Sequence, residues 1–470
     1  MLLYNSLSHR KEEFIPISTE KVGIYTCGPT VYNYAHIGNL RTYIFADVLR
    51  RSLLYQGYKV RQVMNITDVG HLTSDEDFGE DKMEAGAKRE GRSIWDIARF
   101  YEEKFFEDTD ELGIIRPDIV CRATEHIPQM IELVKKLYEL GYAYETEQAV
   151  YFDVTKFPNY TKLAGQSLEE KITAARDEVK EDPNKRNAAD FALWFKAVGR
   201  FENHIMQWDS PWGKGFPGWH IECSAMAMHY LGETIDIHTG GIDHIPVHHT
   251  NEIAQSEAAT GKPFVRYWLH AEFLVVGSGE KMAKSEGEFL TLQSLKDRGY
   301  DPLAYRFLCL QVHYRSKLNF TWESLDAAAA GYRRLTDFVA LAARNTEVIE
   351  KEWMQDYRKR FNEAIADDLN MPRAVAVMWE LIREANARED MGVLSLLYDF
   401  DRVLGLRLDR AAEQAAQDRL EPHLESLIKE REQARAEKNW ARADEIRKQL
   451  AEAGIVLEDR PDGTIWKRVN

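Results

Sequence analysis

Cysteine is scarce in this chain of 470 residues, and the four that occur have no disulfide-scaffold spacing: Cys27, Cys121, Cys223 and Cys309. This scarcity excludes the small secreted proteins that depend on several disulfide bridges, and it favours free thiols or metal ligands. The chain also lacks an apolar run long enough to span a bilayer, and its first residues lack the apolar core of a signal peptide. We therefore expect a cytoplasmic protein with no membrane partner.

Positive charge is also in short supply, because 61 Lys and Arg residues stand against 77 Asp and Glu residues, for a formal net charge of −16. This acidic balance argues against a protein that coats nucleic acid non-specifically. It still allows a folded RNA to be bound by a local basic patch. Hydrophobic residues make up 44% of the chain, which is typical of a globular protein. A chain of 470 residues is too long to fold around one compact core. We therefore expect three or more structural units.

The first hundred residues predict a parallel strand–helix–strand unit. Val22–Thr26 and Val60–Ile66 have the composition of strands, and Leu40–Leu54 carries apolar residues at helical spacing. Two strands joined by a crossover helix lie parallel in one sheet. Ligands on such sheets bind at the carboxyl ends of the strands, where Cys27 and His36 fall. The sequence therefore predicts an α/β protein with a Rossmann-type parallel sheet.

Two short motifs suit phosphate chemistry. The first, HIGN at His36–Asn39, opens the predicted helix, where free N–H groups and the helix dipole favour phosphate and Gly38 permits close approach. The imidazole and the amide can donate hydrogen bonds to phosphoryl oxygens. The second is KMAKS at Lys281–Ser285, where Lys281 and Lys284 can hold a polyphosphate. Either motif alone is more commonly an ordinary turn.

A third set of residues suits a metal ion: Cys27, Cys223, His248 and Glu252. His248 and Glu252 are four residues apart and so share one helix face, a spacing that favours His248 over its neighbour His249. Two thiolates, an imidazole and a carboxylate are ligands that zinc accepts. From spacing alone, two buried thiols and a surface His–Glu pair remain an equal alternative.

Together the two phosphate motifs, about 245 residues apart, resemble the HIGH and KMSKS motifs of class I aminoacyl-tRNA synthetases, with Asn39 and Ala283 as departures. Nearly the whole chain resembles the cysteinyl-tRNA synthetase family. The resemblance implies that the third set binds one zinc ion, which binds the substrate thiol. A pocket that selects by shape alone distinguishes cysteine from serine by a binding free energy of only about 1–3 kcal/mol. A soft metal, in contrast, prefers thiolate to hydroxyl. Selection by the metal can therefore replace proofreading.

The resemblance also implies a role for further residues. The ATP-binding and catalytic set is Thr30, His36, Gly38, Asn39, Lys281, Lys284 and Ser285. Adenosine is approached by Gly240, Gly241 and Asp243. The cysteine pocket is formed by Gly28, Thr67, Trp219 and His238, although Trp219 and His238 also suit a plain core. The anticodon is read by Arg435, Trp440, Asp444 and Asp459, although Trp440 also suits packing between two helices. We expect ATP with magnesium, L-cysteine and tRNA(Cys) as partners of a monomer.

The expected domains follow the same resemblance. A Rossmann-type catalytic domain takes 1–120 and 215–265, with an inserted connective module at 121–214. A KMAKS-bearing stem-contact region at 266–321 precedes a helical bundle at 322–408 and a small C-terminal anticodon-binding domain at 409–470. Residues 409–418 are polar and alanine-rich, which suits a connection. The charged stretch 74–91 suggests an exposed insertion without an assigned role.

Two other functions compete with this interpretation. One is a ligase that joins cysteine to a small amino sugar on the same zinc-and-adenylate core, but such enzymes lack the anticodon-binding domain. The other is an inactive synthetase-like binding protein. The intact HIGN and KMAKS motifs and the four zinc positions argue against the second alternative.

Overall fold

The computed structural model describes residues 1–70, 82–165, 169, 182–277, 280–281, 290–343, 351–417, 421–460 and 463–468. Lys284, Ser285 and residues 74–81 of the charged stretch therefore lie outside the described residues, as does the side chain of Lys281. Among the helices that are described, none has the length and apolar character needed to cross a bilayer.

A five-stranded parallel sheet forms the centre of the first half of the chain. Its strands in chain order are Val22–Thr26, Val60–Ile66, Ile119–Arg122, Ile235–Gly241 and Val265–Ala271. Their order across the sheet is fifth, fourth, first, second, third, and all neighbours run parallel. The strand order reverses between the first and fourth strands, which is where ligands bind in open α/β sheets. The predicted Rossmann-type sheet is confirmed.

Helices flank this sheet on both sides, as parallel strands require. They are Ile37–Tyr55, Ile94–Glu111, Ile127–Glu139, Trp219–Leu231 and Thr250–Thr260. Short turns of 3₁₀ or π helix lie at Ala123–His126, Val154–Lys156, Gly199–Phe201, Ile242–His244 and Ile245–His249. The predicted strands Val22–Thr26 and Val60–Ile66 are confirmed residue for residue, and the helix predicted at Leu40–Leu54 is confirmed with a few residues more.

The segment between the third and fourth strands of the parallel sheet carries a sheet of its own. Its antiparallel strands are Ala143–Glu145, Ala149–Phe152, Phe191–Lys196 and Gly215–Pro217. A separate apolar cluster supports it, including Tyr144, Phe195 and Phe216. The parallel sheet itself continues to Ala271, beyond residue 265, the expected end of this part of the catalytic domain.

The charged stretch is only partly an insertion. Residues Lys82–Glu90 form a helix whose Met83 and Ala87, four residues apart, are buried. This helix packs on Ile94–Glu111. Two buried apolar side chains are enough to pack a short helix against its neighbour. They are difficult to recognise in the sequence because most residues around them are charged.

The remaining elements are a small mixed sheet and a helical bundle. The sheet consists of Leu274–Val276, Glu280–Lys281 and Leu318–Phe320. The helices after it are Leu292–Asp297, Pro302–Leu310, Trp322–Ala342, Met354–Ala366, Met371–Ala387, Leu394–Leu404 and Leu408–Gln417, with a 3₁₀ turn at Met391–Val393.

The last helix of this bundle corrects the expected connection at 409–418. Leu408 is fully buried, Ala412 is buried, and the helix packs on Trp322–Ala342. Leu408, Ala411 and Ala412, at helical spacing, supply an apolar face that composition alone does not distinguish from a polar linker.

Two hairpin-containing units complete the chain. The N-terminal hairpin pairs Leu2–Asn5 with Arg10–Glu13. The C-terminal unit contains Pro422–Ala436, Trp440–Glu452 and a hairpin of Ile455–Arg460 with Gly463–Arg468. A small apolar cluster of its own supports the C-terminal unit: Leu424, Ile428, Ile446, Leu450, Ile455 and Leu457. The overall class is therefore α/β with an inserted module, a helical bundle and a small C-terminal domain.

A buried arginine joins the parallel sheet's first helix to the bundle. The fully buried Arg306 guanidinium contacts Asp47 Oδ2 at 2.6 Å and donates to the carbonyls of Leu404 at 2.7 Å and Leu112 at 3.1 Å. Arg51 holds the same carboxylate at 2.7 Å. Because these groups lie away from water, each depends on the others for its hydrogen bonds.

We expect Arg306→Leu to lower the free energy of unfolding by about 3 kcal/mol, because it leaves two buried carbonyls without a donor and Asp47 with one cation. Thermal denaturation followed by calorimetry measures the change. Arg99→Leu is the matched control, since Arg99 pairs with Asp96 on an exposed helix face and such pairs contribute about 0–1 kcal/mol. Equal losses in the two variants would contradict the assigned role of Arg306.

Candidate functional site

A cavity of about 280 Å³ opens where the strand order of the parallel sheet reverses. Its walls come from the carboxyl ends of three strands and from the first turns of the helices Ile37–Tyr55 and Trp219–Leu231. The predicted site residues that line it are Cys27, Gly28, Thr30, His36, Asn39, Thr67, Trp219, Cys223, Gly240, Gly241, Asp243 and His248. Segments more than 200 residues apart in sequence therefore meet around one space.

Two glycines allow the backbones around the cavity to approach each other. A Cβ on Gly28 would lie 1.6 Å from the Asn65 carbonyl oxygen, and a Cβ on Gly240 would lie 2.6 Å from His244 Nδ1. Neither distance is possible, so any larger residue would force strand ends or side chains apart. The predicted cavity positions Gly28 and Gly240 therefore have a steric requirement for glycine.

Beside the cavity lies a buried cluster of possible metal ligands. The ligand atoms of Cys27, Cys223, His248 and Glu252 lie within 4.8 Å of one another, and all four residues are buried. His248 Nε2 lies 3.0 Å from Glu252 Oε1, while His248 Nδ1 is 2.9 Å from His220 Nδ1. The imidazole thus turns Nε2 toward the other three ligands. The geometry is compatible with a metal site.

The protonation of this cluster depends strongly on its internal contacts. Burial raises the pKa of Cys27 well above its ordinary value. Burial would also raise the pKa of Cys223, but its hydrogen bond with Cys27 and the nearby His248 lower it to about 7. Burial would raise the pKa of Glu252 as well, yet His238 and His248 lower it to about 2. Negative charge in this cluster is therefore stable only beside cationic partners, a position that a metal ion suits.

A second possible ligand set overlaps the first. It shares Cys27 and Glu252 but replaces the other two members with His238 and His249. His249 Nε2 lies 3.3 Å from Cys27 Sγ, and its Nδ1 lies 2.7 Å from His270 Nε2. Three members of the first set line the cavity, whereas the second reaches it only through Cys27.

His238 lies behind the cavity wall. It is fully buried, contacts Glu252 Oε2 through Nε2 at 3.0 Å and stacks on Trp268 with ring centroids 4.7 Å apart. The contact with the carboxylate orients a possible metal ligand, as outer partners in metal sites commonly do. Sequence reasoning missed His220 and His270, because isolated histidines carry no spacing signal.

The HIGN residues form the start of the helix Ile37–Tyr55. His36 Nδ1 accepts a hydrogen bond from the Asn39 backbone N–H at 3.0 Å, and Asn39 Oδ1 accepts one from the His36 N–H at 3.3 Å. Because Nδ1 is an acceptor, the neutral imidazole carries its proton on Nε2. Gly38 lies within this turn but does not line the cavity among the described residues. Lys281 lies in the short strand Glu280–Lys281, which pairs with Val275–Val276.

Of the four predicted anticodon residues in the C-terminal unit, two form an ion pair with each other and two are exposed. Arg431 binds Asp459 through two contacts of 2.8 Å, and Arg435 Nη1 lies 2.5 Å from the same carboxylate. The hydrogen bond from Arg431 is the main reason that the pKa of Asp459 lies well below its usual range. Trp440 is 59% exposed at the start of its helix, so it is not packed between two helices. Asp444 is also exposed.

Comparison with protein families matches three consecutive parts of the chain. Residues 13–330 match the family described as tRNA synthetases class I (C) catalytic domain. Residues 360–421 match the DALR domain, and residues 417–466 match the cysteinyl-tRNA ligase anticodon binding domain.

Full-length relatives agree with these matches. A cysteine–tRNA ligase of Treponema denticola is 48% identical over 493 aligned residues, which cover 99% of each chain. Cysteine–tRNA ligase 1 of Burkholderia lata is 49% identical over 464 residues, covering 98% of this chain and 96% of the relative.

Solved structures show the same fold at low sequence identity. Methionyl-tRNA synthetase of Mycobacterium tuberculosis, bound by methionyl-adenylate, superposes with a TM-score of 0.56 at 16% identity, covering 84% of this chain and 91% of that one. LeuRS of Agrobacterium radiobacter, in a complex with tRNA, gives a TM-score of 0.59 at 12% identity, covering 86% of each chain. From its matched domains and its full-length relatives, the chain belongs to the cysteine–tRNA ligase family of class I tRNA synthetases.

Proposed function

We propose that this chain activates L-cysteine with ATP and transfers it to the 3′ end of tRNA(Cys), with one zinc ion at Cys27, Cys223, His248 and Glu252. The observation that carries the proposal is that three of these ligands line the same cavity as His36, Asn39 and Gly240. A metal that binds a thiol and a helix start that binds phosphate would thus face one space. Both are needed to form cysteinyl-adenylate.

The donor set fits zinc well. Two sulfurs, one imidazole nitrogen and one carboxylate oxygen are all zinc ligands, and all belong to buried residues. Zinc, when bound, supplies a soft Lewis acid that prefers thiolate to hydroxyl and lowers the pKa of a thiol. Trp219, which also lines the cavity, packs on His248 with ring centroids 4.3 Å apart.

The phosphate-binding side of the cavity suits activation of the substrate carboxylate by ATP. The carboxylate oxygen attacks the α-phosphorus, the bond to the β-phosphate breaks, and pyrophosphate leaves with the electron pair. His36 and Asn39, at a helix start, can stabilise the charge that develops on the phosphates. Magnesium accompanies ATP, and the resemblance assigns Thr30, Lys281, Lys284 and Ser285 to the same phosphates. Gly240, Gly241 and Asp243 take the adenosine.

Amino-acid-dependent exchange of pyrophosphate into ATP tests this proposal. We expect cysteine alone among the twenty amino acids to support exchange, and the purified chain to hold about one zinc per molecule. Exchange with another amino acid, or an active protein free of metal, would refute it. The reaction needs no tRNA, so the test does not depend on a particular acceptor.

The C-terminal unit supports tRNA, and not an amino sugar, as the acceptor. Exposed Trp440 and Asp444 and the guanidinium of Arg435 are residue types that stack on or hydrogen-bond to unpaired bases. A small-molecule ligase would have no use for such a surface. The amino-sugar alternative therefore has no support in this chain.

Removing the C-terminal unit should separate the two steps of the reaction. The cut belongs at residue 421 and not at 409, because Leu408–Gln417 is a core helix of the bundle. We expect deletion of 421–470 to leave cysteine-dependent pyrophosphate exchange within about twofold and to raise the KM for tRNA, because remote base contacts supply binding energy.

A point variant gives the same test without truncation. Trp440→Ala should raise the KM for tRNA by about 5- to 150-fold if the indole stacks on a base. Exchange activity, measured without tRNA, is the internal control for both variants. Unchanged charging of tRNA would refute the anticodon role, and loss of exchange would show that the unit supports the fold.

A further inference from the structure

A buried amide connects the two loops that border the cysteine side of the cavity. Asn65, 2% exposed, accepts a hydrogen bond from the Gly28 backbone N–H through Oδ1 at 2.9 Å. A backbone N–H can only donate, so this contact fixes which end of the amide is oxygen. The opposite end, Nδ2, therefore donates to Thr67 Oγ1 at 3.1 Å.

The Thr67 hydroxyl extends this series of hydrogen bonds to a buried carboxylate. It donates to the carboxylate of Glu222 at 3.2 Å, and Glu222 is fully buried in the helix Trp219–Leu231. A hydroxyl has one proton and two lone pairs. The proton is directed to Glu222 and one lone pair accepts from Asn65, so one lone pair remains for the cavity that Thr67 lines.

We propose that Asn65 and Glu222 are positioning residues that leave the Thr67 hydroxyl able only to accept a hydrogen bond from the cavity, and that its remaining lone pair binds the α-ammonium group of the substrate. The inference rests on the proposed function, since it concerns the orientation of cysteine in that cavity. A carboxylate has no proton to donate and so gains nothing from an acceptor. The polarity of the hydroxyl thus assigns the amino end of the substrate to Thr67 and leaves its carboxylate to point toward the phosphate-binding side.

Two half-substrates separate the possible orientations. Cysteamine carries the thiol and the ammonium group, whereas 3-mercaptopropionate carries the thiol and the carboxylate. Calorimetric titration of the zinc-loaded chain gives the Kd of each. We expect Thr67→Val to raise the Kd of cysteamine by about tenfold or more, because it removes a hydrogen bond to a charged group. The Kd of 3-mercaptopropionate should stay within about twofold. Thr67→Ser, which keeps the hydroxyl, should retain most of the cysteamine affinity.

The control for a lost buried hydroxyl is Thr26→Val. Thr26 is fully buried in the neighbouring strand, where it accepts from Gln62 Nε2 and Thr239 Oγ1, each at 3.0 Å, and it does not line the cavity. We expect it to change neither Kd. If the Thr67→Val variant does not fold, the Thr67→Ala variant takes its place. Thr67→Ala removes the same hydroxyl and leaves a smaller side chain.

Glu222→Gln tests the positioning role. A glutamine amide can donate to Thr67 Oγ1, which would turn the hydroxyl proton toward the cavity and reverse its preference. We expect cysteamine to weaken while 3-mercaptopropionate does not, with about one zinc still bound per chain. Equal loss of both ligands in either variant, loss of 3-mercaptopropionate alone, no change, or loss of zinc from Glu222→Gln would overturn the inference. Absence of cysteine-dependent exchange in the unaltered chain would instead refute the proposed function itself.

Discussion

Cys223→Ser should remove the bound zinc and reduce the kcat/KM for cysteine in pyrophosphate exchange by about 10³-fold. Loss of an outer partner of a metal ligand commonly costs about 10- to 100-fold, and loss of a direct ligand removes a bond to the metal itself. A serine hydroxyl does not deprotonate readily and is a harder donor than thiolate. We expect the KM for ATP to stay within about threefold, because the proposed phosphate contacts belong to other residues.

Cys121→Ser is the matched control for this variant. Cys121 is also buried, but its Sγ donates to the Met64 carbonyl at 3.5 Å and it belongs to neither possible ligand set. It should keep zinc and near-normal exchange. Metal analysis and exchange kinetics on both variants decide the matter: zinc retained by Cys223→Ser, or the same loss of exchange in both, would contradict the assigned site.

His36→Asn should slow adenylate formation by about 10²- to 10³-fold while leaving the fold intact. Asparagine is a good helix N-cap and replaces the hydrogen bond that His36 Nδ1 makes with the Asn39 N–H. It does not reproduce the ring N–H on Nε2, and removal of one donor to a developing charge commonly costs this much. Single-turnover formation of the adenylate measures the rate, and the KM for cysteine should change less than threefold.

A second helix cap serves as the control for stability. Thr321 caps Trp322–Ala342 with the same reciprocal arrangement, in which its side chain accepts from the Ser324 N–H. Thr321→Ala should lower the free energy of unfolding by about 1 kcal/mol without slowing the adenylate step. A normal rate in His36→Asn would show that the histidine only caps its helix.

Local sequence patterns predicted the parts of the fold whose signals are local. Val22–Thr26 and Val60–Ile66 were predictable because β-branched and aromatic residues, which favour strands, recur in these runs. Asn370 caps Met371–Ala387 and Pro372 lies in its first turn, and both residue types are local signals of a helix start. The helix Leu408–Gln417 was missed because two of the packed side chains described in it, Ala411 and Ala412, are alanines, which also occur in linkers.

In the functional site, too, contacts between residues close in sequence were predictable and contacts between distant segments were not. His248 and Glu252 could be paired from sequence because they are four residues apart and the helical rise brings them together. No such rule connects Asn65 with Gly28 or Thr67 with Glu222, since these contacts depend on how strands and helices pack. The same four-residue spacing favoured His248 over His249, and in the structure His248 lies 3.0 Å from Glu252 whereas His249 lies 3.8 Å from it.

The long sequence separation between the paired strands Val22–Thr26 and Ile235–Gly241, which meet at the cavity, also determines when the site can form during synthesis. Cys27 leaves the ribosome 225 residues before Glu252, and the last strand of the sheet follows Glu252. At about 5–20 residues per second, this delay is about 10–45 s. During that interval the nascent chain has one proposed ligand thiol but no complete ligand set, so the proposed metal site can be completed only late in the synthesis of this protein.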